Sequence, residues 1–220
     1  MPTTYKKIID CYSGGAKLRL HKMLDLCTSI HQYVYGVEII QNNEQVKCCV
    51  PACDKECFAI RRNINSHQIQ VPKSILNAFE QRMKVLPFNR TFTAFEDLFE
   101  YVAQNSGLKN GHCLLVYDFC LRKGHHMNPQ LEPKDFVYLF RGAREGAEYI
   151  LGAIPSGVYK LPTALFQHIL TNHLSSMEIE DFLCVCKTHI KYLGAYRGAQ
   201  GLLKKYGITH KQNTNRTSKP

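Results

Sequence analysis

Two adjacent histidines, His125 and His126, are side chains that could move protons or bind a metal ion. Histidine titrates near neutral pH, so a pair of imidazoles in a loop suits either role. Asp118 supplies a carboxylate nearby in the sequence, although its four-residue spacing to Arg122 is more typical of an ion pair on a helix. We therefore take His125, His126 and Asp118 as candidate catalytic residues.

A group of thiols lies at Cys49, Cys53 and Cys57, with Cys48 beside it. The four-residue spacing would place the three thiols on one face of a helix, and several converging thiolates are what a zinc site requires. No C-x-x-C pair occurs in the chain, and Pro51 interrupts the run. We therefore expect no structural zinc and no other cofactor. Zinc held by Cys49, Cys53 and Cys57 is the alternative.

The sequence contains no motif that names a reaction. Neither H-E-x-x-H nor G-x-S-x-G occurs, and Gly14-Gly15-Ala16-Lys17 lacks the spacing of a phosphate-binding loop. Any enzymatic activity would therefore depend on side chains that the fold brings together.

The distribution of charge is the most informative chemical feature. Residues 1–181 hold 20 basic and 18 acidic residues, whereas residues 182–220 hold eight basic residues and no acid. Neutralising phosphates releases counterions, so an acid-free basic segment is typical of a protein that binds nucleic acid. A solvated helix with a solubilising tail is the alternative. The eight basic residues are Lys187, Lys191, Arg197, Lys204, Lys205, Lys211, Arg216 and Lys219.

Aromatic residues and further cations could add to this basic segment. Tyr192, Tyr196 and Tyr206 lie among the cations, where they could stack on exposed bases as well as fill a core. Four cations outside the segment could extend the binding surface, namely Arg122, Lys123, Arg141 and Arg144.

A short tripeptide recurs as Arg141-Gly142-Ala143 and as Arg197-Gly198-Ala199. Each is followed by another glycine, Gly146 or Gly201. Small residues at such spacing predict a close approach between helices. The alternative is a helix start whose free N–H groups hold a phosphate.

Residues Tyr117–Cys184, about a third of the chain, resemble uncharacterised bacterial proteins. The resemblance implies a helical domain and no particular chemistry. Its residues are Tyr117-Asp118, Leu121-Arg122, Val137-Tyr138-Leu139, the run Arg141-Gly142-Ala143-Arg144-Glu145-Gly146-Ala147 and the run Met177-Glu178-Ile179-Glu180-Asp181-Phe182-Leu183-Cys184.

The elements that must position these side chains are mainly helices. Apolar residues recur at helical spacing, and glycines and prolines mark the ends of the runs. Thr93 with Glu96 and Ser175 with Glu178 predict capping boxes at two helix starts. The predicted helices cover residues 15–35, 73–85, 94–104, 112–123, 161–172 and 179–187, and one more begins at Arg141. A buried strand is the alternative for 112–123, and the last helical region runs on, or kinks, through 189–206.

Extended structure is predicted at three short runs. Residues 37–40 and 45–50 flank an Asn-rich turn and predict a small hairpin. Residues 136–140 form the third run. We expect any sheet to be small and confined largely to the N-terminal third of the chain.

The predicted fold class is mainly α, with α+β as the alternative. Residues 1–71 would form a helix followed by a cysteine-rich, irregular or hairpin-containing region. Residues 72–206 would form a helical domain, and residues 207–220 a basic tail polar enough to be disordered.

Composition sets the class of protein. Hydrophobic residues make up 45% of the chain, which excludes disorder throughout, and no apolar run is long enough to span a bilayer. No apolar segment of the kind found in a secretory signal follows the N-terminus. Ten cysteines without such a signal indicate reduced thiols, so we expect an intracellular, cytoplasmic protein.

These features favour a nucleic-acid-binding protein, with DNA ahead of RNA because helices suit docking on a duplex. A metal-dependent or thiol-dependent enzyme, including one that acts on nucleic acid, is the second hypothesis, with Cys113 or Cys120 as a nucleophile beside a histidine. A basic module that binds an acidic protein or an anionic membrane surface is the third. The oligomeric state is left open.

Overall fold

A computed structural model of the chain describes residues 3–37, 71–171 and 173–208. The thiol group at Cys49, Cys53 and Cys57 lies outside the described residues, as do the predicted hairpin beyond Val37 and the tail from Lys211.

The prediction of a mainly α fold is confirmed, because the described ranges form eleven α-helices and one two-stranded sheet. The helices are α1 Thr3–Gly14, α2 Ala16–Leu26, α3 Ile30–Tyr35, α4 Lys73–Val85, α5 Phe95–Asn105, α6 Leu114–His125, α7 Arg141–Leu151, α8 Thr163–Leu170, α9 Ser176–Val185, α10 Lys187–Leu193 and α11 Ala199–Lys205. The strands are β1 Phe136–Tyr138 and β2 Lys160–Pro162.

The sheet lies later in the chain than the sequence predicts. Strands β1 and β2 pair antiparallel, with Val137 opposite Leu161, in the second half of the chain and not in its N-terminal third. The pairing continues beyond the strands, because the N–H of Leu139 donates to the Tyr159 carbonyl over 2.7 Å. Thus the predicted extended run at 136–140 is confirmed, whereas the partner strand at 160–162 was not predicted.

The N-terminal region contains three helices where one was predicted over residues 15–35. Helix α1 was missed, although Ile8, Ile9 and Tyr12 form its buried face. Gly15 separates α1 from α2, and Ser29 caps α3 in a capping box with Gln32. The local hydrogen bonds of Ser29 and Gln32 therefore divide a run whose apolar spacing alone indicated continuity.

Helix caps agree with the prediction at one site and differ at another. The capping box of Ser175 with Glu178 forms at the start of α9, as predicted. At the start of α5, Asp97 and not Glu96 accepts from the N–H of Ala94 over 3.1 Å and from the Thr93 hydroxyl over 2.5 Å. The helix starts one residue later than predicted, which moves the capping carboxylate from Glu96 to Asp97.

The final helical region is interrupted. Gly194 and Gly198 adopt positive φ angles of 72° and 92°, which favour glycine, so the predicted helix over 189–206 divides into α10 and α11.

The described helices enclose two hydrophobic cores. The aliphatic core is bounded by α1, α7, α8, α10 and α11, and the aromatic core by α2–α6, while α9 contributes to both. Elements before residue 38 and after residue 71 share each core. The large buried residues of the aliphatic core include Ile150, Leu161, Leu165, Phe166, Ile179, Phe182, Leu183 and Ile190, and those of the aromatic core include Tyr33, Phe79, Phe95, Phe99, Tyr117, Phe119, Tyr138 and Phe140.

Strand β1 and the residues after it join the two cores. Side chains alternate along an extended chain, so Val137 and Leu139 enter the aliphatic core whereas Tyr138 and Phe140 enter the aromatic core.

Helices α7 and α9 approach each other closely through glycines. A side chain on Gly146 would overlap the Leu183 carbonyl, and one on Gly142 would overlap the Cys184 Sγ atom. This confirms the predicted close approach at Arg141-Gly142-Ala143. The second copy of the tripeptide has a different role. A side chain on Gly198 would meet only the Tyr196 ring, at 4.0 Å, and Gly198 ends the linker between α10 and α11 at a positive φ.

Candidate functional site

The described part of the basic segment, residues 182–208, keeps most of its cations in solvent. Helix α10 buries His189 and Ile190, and α11 buries Ala199 and Leu203 in the aliphatic core. The opposite faces and the linker carry the exposed cations. These are Lys191, Arg197, Lys204 and Lys205.

Helix α1 brings two more cations to this region. The Tyr5 hydroxyl donates to the Gly194 carbonyl over 3.2 Å, at the linker between α10 and α11. Burial and the nearby Tyr196 raise the pKa of Tyr5 to about 12. The contact places α1 against α10, and the residues that follow Tyr5, Lys6 and Lys7, are exposed. Lys6, Lys7, Lys191, Arg197, Lys204 and Lys205 together are called the basic surface below.

Sequence reasoning did not group the lysines of α1 with the C-terminal cations. Lys6 and Lys7 are more than 180 residues from Lys191 along the chain, and α1 itself was not predicted. The available signal was the apolar spacing of Ile8, Ile9 and Tyr12, which marks one buried helix face.

Lys187 is held by an acid from another helix. Its Nζ atom lies 2.6 Å from Glu145 Oε2 on α7, and this hydrogen bond is the main cause of the lowered pKa of Glu145. One turn later, Lys191 Nζ lies 5.8 Å from the centre of the Tyr149 ring, whose hydroxyl donates to Glu145 Oε1. Lys187 therefore joins α10 to α7, although the sequence analysis assigned it to phosphate contacts.

Arg144 is bound to the backbone of its own region. Its guanidinium donates to the carbonyls of Ile154 over 2.6 Å, Pro155 over 3.1 Å and Val158 over 2.8 Å, and its Nε donates to Glu148 over 3.0 Å. These contacts hold the connection from α7 to β2. Arg144 is thus engaged by protein groups, while Arg141 lies exposed at the first residue of α7.

Arg122 is buried, with 3% of its surface exposed. One Nη atom donates to the Tyr33 carbonyl over 2.9 Å, near the C-terminus of α3, and the other lies 3.4 Å from Asp118 Oδ2. Lys123 lies over the Tyr33 and Phe88 rings, and burial lowers its pKa. Both predicted surface cations of α6 therefore contact the aromatic core.

The two adjacent histidines connect α6 to the end of α2. His125 Nδ1 accepts from Gln130 over 2.8 Å, and its Nε2 lies 2.9 Å from Asp25 Oδ1. His126 Nε2 donates to the Leu24 carbonyl over 2.8 Å. The two rings contact each other at 5.1 Å, but Asp118 is engaged with Arg122 in the interior. The hydrogen bonds of the three candidate catalytic residues thus lead to different partners.

A small cleft of about 60 Å³ lies where α2, α6 and α9 meet, and sequence reasoning missed it. Asp118, Arg122 and Glu180 are buried, and Tyr12 donates to Asp181 over 3.0 Å. The sequence of α9 could have indicated this polar site. Acids at 178, 180 and 181 point in three directions around one helix, so they cannot all face solvent. The lining residues are Arg19, Leu20, Met23, Leu24, Asp118, Leu121, Arg122, Glu180, Asp181 and Val185.

Glu178, one turn or less before Glu180 and Asp181 on α9, accepts from several donors. Its carboxylate lies 3.0 Å from Lys17 Nζ and 2.8 Å from His21 Nε2, and accepts from the N–H of Ser175 over 2.9 Å. Burial would raise its pKa, but these hydrogen bonds outweigh burial and lower the pKa. The arrangement fixes α9 to α2.

A second polar group lies at the edge of the aromatic core. His112 Nε2 lies 2.8 Å from Glu100 Oε2, and the Tyr159 hydroxyl lies 3.4 Å from the other oxygen of Glu100. Lys160 Nζ lies 4.5 Å from the Phe136 ring centre. Glu100 thus links α5 to His112 and to Tyr159, the residue before β2, while Lys160 of β2 packs on β1.

The described residues hold no group of three or more histidines, cysteines and acids that could bind a metal ion. The cysteines within the described ranges form no disulfide bond. Burial raises the pKa of Cys113 and of Cys120, which favours the protonated thiol over the nucleophilic thiolate. No helix in the same ranges is long and apolar enough to cross a membrane.

Comparison with family models, curated proteins and solved structures finds no match to this chain. The resemblance over Tyr117–Cys184 therefore stays a prediction.

Proposed function

We propose that the protein binds nucleic acid, in the first place DNA, through the basic surface. The observation that carries the proposal is the exposure of Lys191, Arg197, Lys204 and Lys205 in a segment without an acidic residue. Phosphates would bind these side chains and release their counterions, without any need for base recognition.

The charges around the surface support this proposal. The half-buried acid Glu145 forms an ion pair with Lys187. None of the four exposed cations of α10, the linker and α11 forms an ion pair in the described structure. Helix α1 adds Lys6 and Lys7 and one exposed acid, Asp10. The balance remains strongly positive, which favours a polyanionic partner.

Charge reversal tests the proposal. Arg197→Glu with Lys204→Glu should lower the affinity for a fluorescein-labelled oligonucleotide about tenfold, because each change removes a phosphate contact. The dependence of affinity on salt should flatten by up to roughly two units of logarithmic slope. Fluorescence anisotropy at increasing salt measures both.

The matched control is Lys73→Glu with Lys109→Glu, which makes the same change in net charge at exposed lysines elsewhere. The control should keep the affinity within about twofold if location matters more than net charge. Equal losses in both variants, or no loss in the first, would contradict the proposal.

An acidic protein or an anionic membrane surface is the competing partner for the same cations. Polyglutamate and vesicles containing phosphatidylserine distinguish it, because both offer negative charge without bases. Stronger binding to either than to DNA at equal salt would favour the interaction-module hypothesis. Against the enzyme hypothesis, burial raises the pKa of Cys113 and of Cys120, and His125 and His126 are hydrogen-bonded to groups of the protein.

A further inference from the structure

Tyr192 differs from the other aromatic residues of the described structure in its exposure. It is 44% exposed, whereas the remaining described tyrosine and phenylalanine side chains are buried or half-buried. The other large apolar side chains that lie exposed in these ranges are aliphatic, namely Leu18, Leu26, Ile75 and Val85.

The position of Tyr192 is as informative as its exposure. It follows Lys191 directly on the outer side of α10 and precedes Arg197 of the linker by five residues. No acid occurs in this segment. An exposed ring among cations matches the chemistry of single-strand binding, in which bases stack on aromatic rings while lysines and arginines bind the phosphates.

The short helices of the basic surface argue against reading a duplex groove. Helices α10 and α11 have seven residues each, which corresponds to about 10 Å of length, and both bury one face in the aliphatic core. The linker between them bends at Gly194 and Gly198. Neither helix therefore protrudes as a recognition helix would.

A duplex would also leave the ring of Tyr192 without a partner. Paired bases are stacked on each other and show only their edges in the grooves, whereas an unpaired base presents its face. Cations alone bind the phosphates of either form and give no preference for a single strand, so the exposed ring is the feature that would favour the single strand.

We propose that the basic surface binds single-stranded DNA, with the Tyr192 ring stacked on an unpaired base and Lys191 and Arg197 on neighbouring phosphates. This inference rests on the proposed function and replaces the duplex, which the sequence analysis favoured, with a single strand.

Anisotropy titrations with labelled oligo(dT) and with the oligo(dT)·oligo(dA) duplex test the inference at one salt concentration. The wild-type protein should bind the single strand more tightly than the duplex. Tyr192→Ala should lower the affinity for oligo(dT) about tenfold and leave the duplex affinity unchanged. Tyr192→Phe keeps the ring and should bind oligo(dT) as the wild type does.

Val85→Ala is the matched control, because Val85 is an exposed apolar residue on α4, outside the basic surface. It should leave both affinities unchanged. A circular dichroism spectrum equal to that of the wild type shows that Tyr192→Ala is folded.

The outcomes separate this inference from the proposed function. Suppose that Tyr192→Ala binds oligo(dT) as the wild type does, while Arg197→Glu with Lys204→Glu weakens binding. The stacking inference is then overturned, whereas the proposal that the basic surface binds nucleic acid is supported. Equal weakening of single strand and duplex by Tyr192→Ala also overturns stacking. If the wild-type protein binds neither oligonucleotide, both proposals are overturned.

Discussion

Arg122 and Arg144 carry the same charge as Arg197, Lys191 and the lysines of α11, but the fold uses the two sets differently. Arg122 and Arg144 donate to backbone carbonyls and to carboxylates, and they hold α3 and the α7–β2 connection in place. The cations of the basic surface lie exposed on helices whose other faces are buried. One set stabilises the fold, and the other is free to meet a partner.

The difference between the sets follows from their local sequence. Asp118 lies four residues before Arg122, and Glu148 lies four residues after Arg144, so each arginine has a carboxylate on its own helix face. Arg197 has no acid within fifteen residues on either side. Lys187 shows the limit of this rule, because its acid, Glu145, comes from a neighbouring helix.

The largest effect is expected for Arg122→Met. The change leaves Asp118 buried without its ion pair and removes the donor to the Tyr33 carbonyl, so the free energy of unfolding should fall by about 3–5 kcal/mol. Urea denaturation followed by circular dichroism measures the loss.

The double variant Arg122→Met with Asp118→Leu is the control for this prediction. It removes both charges and should be more stable than Arg122→Met alone. If Arg122→Met unfolds at the wild-type urea concentration, Arg122 belongs with the surface cations and the comparison fails.

A smaller effect is expected for Glu178→Gln, which removes the carboxylate that binds Lys17 and His21. The free energy of unfolding should fall by about 2 kcal/mol at neutral pH. Because the pKa of Glu178 is lowered in the folded protein, its contribution is present above the unfolded value of 4.5 and is lost as the pH falls through the lowered value.

The free energy of unfolding of the wild type and of Glu178→Gln, measured as a function of pH, tests whether the contribution of Glu178 is lost in acid. The two proteins should differ at pH 7 and converge in acid, below the lowered pKa of Glu178. A difference that grows in acid would contradict the assignment.

The smallest effect on stability is expected for Arg197→Gln with Lys204→Gln. Both side chains are exposed, so the free energy of unfolding should change by less than about 0.5 kcal/mol, while the affinity for oligo(dT) falls. Thermal unfolding measures the change in stability, and fluorescence anisotropy on the same preparation measures the affinity for oligo(dT). A large loss of stability would show that these cations, too, hold the fold together.

Local patterns in the sequence predicted the fold where the deciding contacts are local. Ser175 and Glu178 predict the start of α9, and Pro72 and Pro87 correctly bound α4, because caps and prolines act within one turn. Strand β2 was missed, because Lys160-Leu161-Pro162 is extended only through its pairing with β1, more than twenty residues away.

The candidate site was predictable to the extent that charge is visible in composition. The basic segment was apparent from a count of acids, and four of its cations lie exposed as a partner would require. The spacing of residues could not predict that α1 packs beside the basic segment, nor that Arg122 is buried. Both depend on which helices pack together.

The alternation of side chains at β1 has a consequence for how the molecule unfolds. Val137 and Leu139 cannot leave the aliphatic core without displacing Tyr138 and Phe140 from the aromatic core, because all four share one extended backbone. Loss of packing on either side is therefore transmitted through the peptide chain itself. The two cores should melt as one cooperative unit, with their slowest amide protons exchanging through the same global opening.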